Sequence, residues 1–184
     1  FHFAGVGSKS NVTRGCQLFR RTFDKVAADY PGTELDYGFI DAFTQWLTRS
    51  PESYDVVVTS NMFGDIATDL GAVLQGGMGM AASGNIGDES AFFEPVHGSS
   101  PKYAGMNKVN PIASINSIQL MMNWLGRKNN DDELIEIGSM IDESVADHLR
   151  GGRGLTYDLG GDASCSGVGE SIATRLSTKL QERF

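Results

Sequence analysis

An uninterrupted β-branched run over residues 55–59 constrains the fold of this chain more than any other feature. Such a run predicts a strand of a parallel sheet that is covered on both faces. Residues 33–41 predict another strand, which leads into a helix over residues 42–49. Helical apolar spacing also marks residues 15–30 and a stretch that ends at Leu74. This alternation of strands and helices predicts an α/β fold.

The composition changes near Gly76 and Gly77, where a glycine-rich tract begins and extends to Gly105. Amphipathic helical patterns follow the tract up to the carboxyl end. The sequence therefore predicts two parts, residues 1–76 and residues 77–184.

Charge and composition exclude several classes of protein. The chain has 184 residues and a formal net charge of −8, with its Lys and Arg scattered, which argues against a nucleic-acid partner. No apolar run approaches the length of a bilayer span, so we expect no membrane partner. The pair of cysteines is too few for a disulfide scaffold and fits a cytoplasmic protein. Because the chain starts at Phe1 without an initiator Met, we expect it to be a piece of a longer protein.

Acidic residues follow the predicted strands. Asp65 and Asp69 lie four apart on one predicted helix, so their carboxylates share a face about 6 Å apart. Asp41 ends the preceding strand, so we expect the three acids at the ends of adjacent strands. The carboxyl ends of strands are where open α/β sheets bind ligands. Oxygen ligands of this kind suit a hard divalent cation. A solvated acidic face is the alternative.

Lys9 lies in a short polar segment, Ser8-Lys-Ser-Asn11. A nearby divalent cation would lower the pKa of this lysine, because like charges disfavour each other. Such a lysine exchanges protons near neutral pH. An ordinary surface lysine is the alternative.

The segment Glu94-Pro-Val-His-Gly-Ser99 predicts a kinked loop with one histidine among small residues. Loop amides can bind a phosphate, and an imidazole can stack on a base. Lys102 and Tyr103 follow and could contact an additional phosphate. The loop lacks the G-x-G-x-x-G pattern, so it does not indicate a Rossmann site. A histidine that packs within a loop is the alternative for His97.

Several segments, in this order, resemble the isocitrate/3-isopropylmalate dehydrogenase family of metal-dependent β-decarboxylating dehydrogenases. They are Lys9-Ser-Asn-Val12, Tyr54-Asp-Val-Val-Val-Thr59, Asn61-Met-Phe-Gly-Asp-Ile-Ala-Thr-Asp69, Gly84-Asn-Ile-Gly-Asp88, Phe93-Glu-Pro-Val-His-Gly-Ser99, Pro101-Lys-Tyr-Ala-Gly105 and Asn110-Pro111. The resemblance implies an isocitrate/isopropylmalate dehydrogenase-like two-lobe fold, present here as an incomplete C-terminal portion. Residues 1–76 would be part of the metal-binding and dimerisation lobe, and residues 77–184 the C-terminal part of the cofactor-binding lobe.

The same resemblance implies the chemistry and the residues responsible for it. We expect oxidative decarboxylation of a malate-type hydroxy diacid or triacid, dependent on NADP or NAD and on Mg²⁺ or Mn²⁺, in a homodimer with shared active sites. Lys9 and Asp41 would serve the active site of the partner. The implied catalytic residues are Lys9 and Asp41, the implied metal ligands are Asp41, Asp65 and Asp69, and the implied cofactor contacts are Asn11, Glu94, His97, Gly98, Ser99, Lys102, Tyr103, Asn110 and Tyr157.

Substrate and cofactor stay open at this point. The motifs favour 3-isopropylmalate slightly over isocitrate or tartrate/malate, and the helix that selects the substrate in this family is absent from the 184 residues. Lys102 and Tyr103 resemble an NADP-type pair, but Gly161 stands where the NADP-type members have an arginine. A catalytically silent or nucleotide-binding subunit is the alternative function, although Lys9 and the three acids are present. We expect the 184-residue stretch alone to be inactive.

Overall fold

Parallel strands form the centre of the amino-terminal half of the chain. The computed structural model describes the backbone of residues 2–6 and the whole of residues 8–183, and it divides the chain into two units, Phe1–Leu74 and Gln75–Phe184. The elements of the first unit are β1 (His2–Val6), α1 (Arg14–Ala27), β2 (Glu34–Gly38), α2 (Ile40–Arg49), β3 (Val56–Val57) and α3 (Asn61–Leu74). The assignment of residues 1–76 and 77–184 to lobes with distinct roles stays a prediction.

The sheet of the first unit confirms the predicted α/β class and corrects one detail. Its strand order over the described residues is β2-β1-β3, with both pairings parallel. The strand predicted over residues 55–59 shortens to two residues, which pair with β1 at Phe3 and Ala4. Because this strand lies at the edge of the described sheet, Val56 is 42% exposed and not buried on both faces. The central strand, β1, was not predicted.

The core of the first unit lies between α2, α3 and the start of β3. Ile40, Phe43 and Ala67 are buried, and Tyr54 packs edge-on against Phe43 with ring centroids 5.1 Å apart. This packing orients α2 and α3, so the residues at the start of each helix follow the carboxyl ends of β2 and β3.

The second unit combines a β-hairpin with long helices. Its elements are β4 (Ala82–Ile86), β5 (Ala91–Pro95), α4 (Ile112–Asn129), α5 (Asp132–Arg150) and α6 (Cys165–Arg183), with short 3₁₀ turns at Pro101–Tyr103 and Tyr157–Leu159. The hairpin strands pair antiparallel and pack against α4, while α5 packs against both α4 and α6. The core consists of Met80, Ile112, Val145, Val168 and Ile172. Over the described residues, no helix has the length and apolarity needed to cross a bilayer.

Glycine permits a close approach between α4 and the start of α5. A Cβ on Gly126 would lie 2.8 Å from the carbonyl oxygen of Asp131 and 2.6 Å from Cγ1 of Ile135. The obstacle includes backbone, which cannot rotate away as a flexible side chain can. The helix pair therefore requires glycine at this position.

We expect Gly126→Ala to lower the free energy of unfolding of the second unit by about 1–3 kcal/mol, the usual cost of overpacking. Gly169→Ala is the matched control, because Gly169 lies in α6 with no atom within 4 Å of an added Cβ. There alanine should add about 0.5–1 kcal/mol of stability through its helix propensity. Urea unfolding is followed by the fluorescence of Trp124 in a Trp46→Phe background, so that the signal reports the second unit. Equal effects of the two substitutions would contradict the close approach.

Candidate functional site

The first unit brings Lys9 and Asp41 together. Lys9 lies in the turn between β1 and α1, where its carbonyl oxygen accepts from the amides of Val12 and Thr13 at 2.8 Å each. Asp41 is the second residue of α2, just after β2. Since β1 and β2 are parallel neighbours, the segments after their carboxyl ends meet, and Lys9 Nζ donates to Asp41 Oδ2 at 2.5 Å. The structure thus places a cation and an anion in contact at the carboxyl edge of the sheet.

The electrostatics of this pair favour an ionised carboxylate. The hydrogen bond from Lys9 holds the pKa of Asp41 below its usual value. The Lys9 side chain is 34% exposed and that of Asp41 is 62% exposed, so solvent screens the pair and it adds little to folding stability. The contact is therefore available for exchange with a ligand.

Asp65 and Asp69 both lie in α3, as predicted, and both are exposed. One part of the sequence interpretation is wrong: the strands before Asp41 and Asp65 are not adjacent, because β1 lies between them. Within the part of the chain that the structure describes, no group of three or more His, Cys, Asp or Glu side chains is arranged to hold a metal ion. Metal binding by the three acids stays a prediction, and it requires ligands beyond those that one copy brings together. Asn11 is exposed in the turn after Lys9, and its contact with the cofactor stays a prediction.

The second unit contains a cavity of about 710 Å³, within the range of roughly 300–1,000 Å³ typical of small-molecule sites. Six of the predicted cofactor residues line it: His97, Gly98, Ser99, Tyr103, Asn110 and Tyr157. Glu94, exposed on β5, and Lys102, exposed in a 3₁₀ turn, are not among the lining residues. The predicted loop and the predicted aromatic residues therefore surround one concave site.

A hydrogen-bonded network around Asn110 forms one wall of this cavity. The Asn110 side chain is 6% exposed; its Nδ2 donates to Asp158 Oδ2 at 3.0 Å, and its Oδ1 accepts from the Ile112 amide at 3.0 Å. Thr156, also buried, donates its hydroxyl to Asp158 Oδ1 at 2.5 Å. The N-cap of α4 is Pro111, and Asn110, one residue before it, binds the amide of the first helical residue, so its side chain is already bonded within the wall.

The glycine tract at residues 76–79 closes the cavity against that network. Gly76 and Gly77 adopt φ values of +104° and +102°, which side chains rarely adopt. A Cβ on Gly79 would lie 2.6 Å from Asp158 Oδ2 and 2.9 Å from Asn110 Cβ. The tract is visible in the sequence as a local enrichment in glycine, but nothing in the sequence indicated that it faces Asn110.

Two tyrosines line the cavity, and a lysine lies beside the ring of each. The rings of Tyr103 and Tyr157 have centroids 5.7 Å apart. The neighbouring Tyr157 phenol, and after it Lys102, lowers the pKa of Tyr103, while Tyr103 raises the pKa of Tyr157. Lys102 Nζ lies 4.8 Å from the Tyr103 centroid, and Lys108 Nζ lies 4.6 Å from that of Tyr157. Aromatic faces beside cations suit a ligand with a planar base and phosphates.

Sequence analysis missed several lining residues, namely Lys108, Asp158, Cys165 and the Gly76–Gly79 tract. Lys108 stands two residues before Asn110, between two segments that carry the family resemblance, so its position in sequence could have pointed to it. Asp158 directly follows Tyr157 in a segment that resembles the NADP-type members, whereas Cys165 has no local sequence pattern that would identify it.

Comparison with known proteins places the chain among dehydrogenases. The family model "Isocitrate/isopropylmalate dehydrogenase" matches residues 5–172. The chain is 43% identical to a 3-isopropylmalate dehydrogenase of Thermobifida fusca, covering 92% of this chain and 46% of that protein. It is 41% identical to a homoisocitrate dehydrogenase of Methanocaldococcus jannaschii, covering 94% of this chain and 48% of that protein.

The structure leads to the same group of proteins. The crystal structure of isocitrate dehydrogenase from Methylococcus capsulatus matches with a TM-score of 0.83 and 32% identity, over 95% of this chain and 50% of that chain. The chain thus spans about half the length of the relatives it matches. Agreement of the family model over most of the chain, of sequence and of structure confirms the predicted relationship: this chain belongs to the isocitrate/isopropylmalate dehydrogenase family.

Proposed function

We propose that the protein containing this chain is a β-decarboxylating dehydrogenase that oxidises a malate-type 2-hydroxy acid with NADP or NAD. The observation that supports this most is the cavity of the second unit, lined by His97, Gly98 and Ser99 of the loop that resembles the family's cofactor loop. Among the candidate substrates, 3-isopropylmalate stays slightly favoured over isocitrate and tartrate/malate. The relatives named above include enzymes for 3-isopropylmalate and for homoisocitrate.

The residues of the cavity fit a nicotinamide dinucleotide. When bound, the cofactor accepts the hydride from the carbinol carbon. Gly98 and Ser99 offer small, exposed loop positions at which a phosphate can approach the backbone, and His97 offers a half-buried ring beside them. The tyrosine pair provides aromatic surface, and lysine provides positive charge. These groups bind and orient the cofactor while the walls limit the access of water.

Lys9 and Asp41 would act on the substrate hydroxyl. In the proposal, Lys9 Nζ exchanges a proton with that hydroxyl, and Asp41, in contact with Nζ, holds the ammonium in place. A bound Mg²⁺ or Mn²⁺ would supply Lewis-acid stabilisation of negative charge on the substrate. Asp65 and Asp69 lie on one helix face of a single copy. The proposal therefore includes a homodimer in which Asp41 of the second copy completes the metal site.

The role of Lys9 is tested in the enzyme that contains this chain. We expect Lys9→Met to lower kcat by about 10²–10⁴-fold, the usual contribution of a group that transfers a proton. Lys25→Met, which removes an exposed lysine from α1 of the same unit, should leave kcat unchanged. Rates are measured as cofactor reduction with 3-isopropylmalate, homoisocitrate, isocitrate, tartrate and malate. A Lys9→Met enzyme with the wild-type rate would exclude the proposed proton transfer, and no turnover of any of these acids by the wild-type enzyme would exclude the proposed function.

Metal binding is tested separately from turnover. Asp65→Asn and Asp69→Asn should each weaken Mn²⁺ binding by about 10–100-fold or more, since even a residue that only supports a ligand has an effect of that size. Free Mn²⁺ is measured by electron paramagnetic resonance during titration of the enzyme. Asp29→Asn, an exposed acid of the same unit, is the control. Unchanged Mn²⁺ binding in both variants would remove α3 from the metal site.

A further inference from the structure

A histidine is buried where the end of α5 packs against α6. His148 is 3% exposed, and its Nδ1 lies 3.0 Å from the Ser171 hydroxyl of α6. Its Nε2 is also buried and has no hydrogen-bond partner among the described residues. Buried polar groups are normally paired, so an unpaired ring nitrogen requires an explanation. The mechanism proposed above does not use this side chain.

The neutral imidazole is the form of His148 that suits this place. In either neutral tautomer Nδ1 can hydrogen-bond Ser171, whereas a protonated ring would leave a charged N–H at Nε2 without an acceptor. Burial, and after it the charge of Arg175 in α6, lowers the pKa of His148, and the Gly154 backbone raises it by less. His148 is therefore neutral at about pH 7 while this packing is intact.

The charges around the ring do not offset a proton on it. Arg175 Nη2 lies 3.9 Å from the position that a Cβ on Gly151 would occupy, beside the loop that follows α5. The first two turns of α4, residues 112–119, carry no charged side chain. Protonation of His148 therefore adds repulsion from Arg175 and gains no ion pair within the described structure. The other charged residues near the end of α5, on the loop and along α6 are exposed or paired elsewhere: Glu143, Asp147, Arg150, Arg153, Glu170 and Lys179.

A glycine loop contacts the buried ring and leads directly to the cavity. Gly152 and Gly154 adopt φ values of +62° and +72°, and a Cβ on Gly154 would lie 3.7 Å from Cε1 of His148. The Gly152 amide donates to the Leu149 carbonyl at 3.0 Å, which ties the loop to the end of α5. Three residues beyond Gly154, Tyr157 lines the cavity. A displacement of this loop therefore acts on a lining residue a few positions away.

The turn before α6 joins this loop to the cavity wall. The Leu155 carbonyl accepts from the Ala163 amide at 2.9 Å, and the Thr156 carbonyl accepts from the Gly161 amide at 2.9 Å. A Cβ on Gly161 would lie 2.0 Å from the Leu155 carbonyl oxygen, so the backbone is tightly closed here. Because tightly packed segments transmit strain, a displacement at Gly154 would reach the wall as a shift of the whole turn.

We propose that His148 is a proton sensor: the neutral ring holds the Gly151–Gly154 loop on the end of α5, and the protonated ring releases this loop together with the cavity wall at Tyr157 and Asp158. The inference does not depend on what the cavity binds. A released ring has the ordinary pKa of about 6.5, above that of the buried ring, so protonation favours the released state. Release is therefore constant above about pH 7. It increases as the pH falls below about 6.5, by at most about tenfold per pH unit for one proton, and levels off once the buried ring is itself protonated.

The test is hydrogen–deuterium exchange of the full protein that contains this chain, measured by mass spectrometry and corrected for the intrinsic effect of pH on exchange. We expect exchange of residues 151–161 to rise by up to about tenfold per pH unit below about pH 6.5, while residues 126–135, at the other end of the α4–α5 pair, keep their protection. His148→Asn, which retains a polar atom near Nδ1 but cannot titrate, should remove this rise. Arg175→Met should reduce the rise, because it removes a charge that lowers the pKa of the buried ring, and Arg153→Met, the matched control on the loop, should not change it.

Several results would overturn the inference. An equal acid response in residues 126–135 would indicate general unfolding and not a local release. A response that persists in His148→Asn would assign the proton to another group. The absence of a response in the wild-type protein, or an unchanged response in Arg175→Met, would contradict the repulsion between the buried ring and Arg175. If His148→Asn does not fold, the comparison of Arg175→Met with Arg153→Met decides.

Discussion

The second unit depends on a small hydrogen-bonded network that joins two buried residues, Asn110 and Thr156, to the carboxylate of Asp158. Asn110 joins the first turn of α4 to Asp158, and Thr156 holds the other oxygen of that carboxylate. An unpaired amide or hydroxyl on a buried residue is costly, so the bonds of Asn110 and Thr156 favour one arrangement of the segments that they connect. The glycine tract can then approach Asn110 and Asp158 as closely as it does. The cavity is the space that these connected segments leave.

The first unit presents its functional groups differently. Lys9, Asp41, Asp65 and Asp69 are all partly or largely exposed, and no comparable network surrounds them in the described residues. Exposed charges of this kind are screened, and they contribute little to the fold. Their arrangement along the carboxyl edge of the sheet is therefore not explained by stability, which is consistent with ligands or a second copy completing the site in the proposed enzyme.

Sequence analysis predicted local features well where one local rule decides them. The shared face of Asp65 and Asp69 follows from helical spacing. Val56 was misjudged because burial of a strand depends on whether it lies inside the sheet or at its edge, which is a non-local property. Lys108 was missed for a related reason, since its contact with Tyr157 joins residues 49 positions apart. The family resemblance located the loop at His97, but only the fold shows which side chains share its cavity.

The contact at Gly161 limits how this protein can change. A Cβ on Gly161 would lie 2.0 Å from the carbonyl oxygen of Leu155. A larger residue is therefore incompatible with this turn unless the turn changes its shape. Lys108 and Lys102 stand at exposed positions, where exchange for an acid or a neutral residue removes a cation–π contact with a tyrosine ring but displaces no backbone. A lineage with this turn can therefore vary the loop before α4 more readily than the turn before α6. The same asymmetry tells an engineer where to place a mutational library and which position to leave untouched.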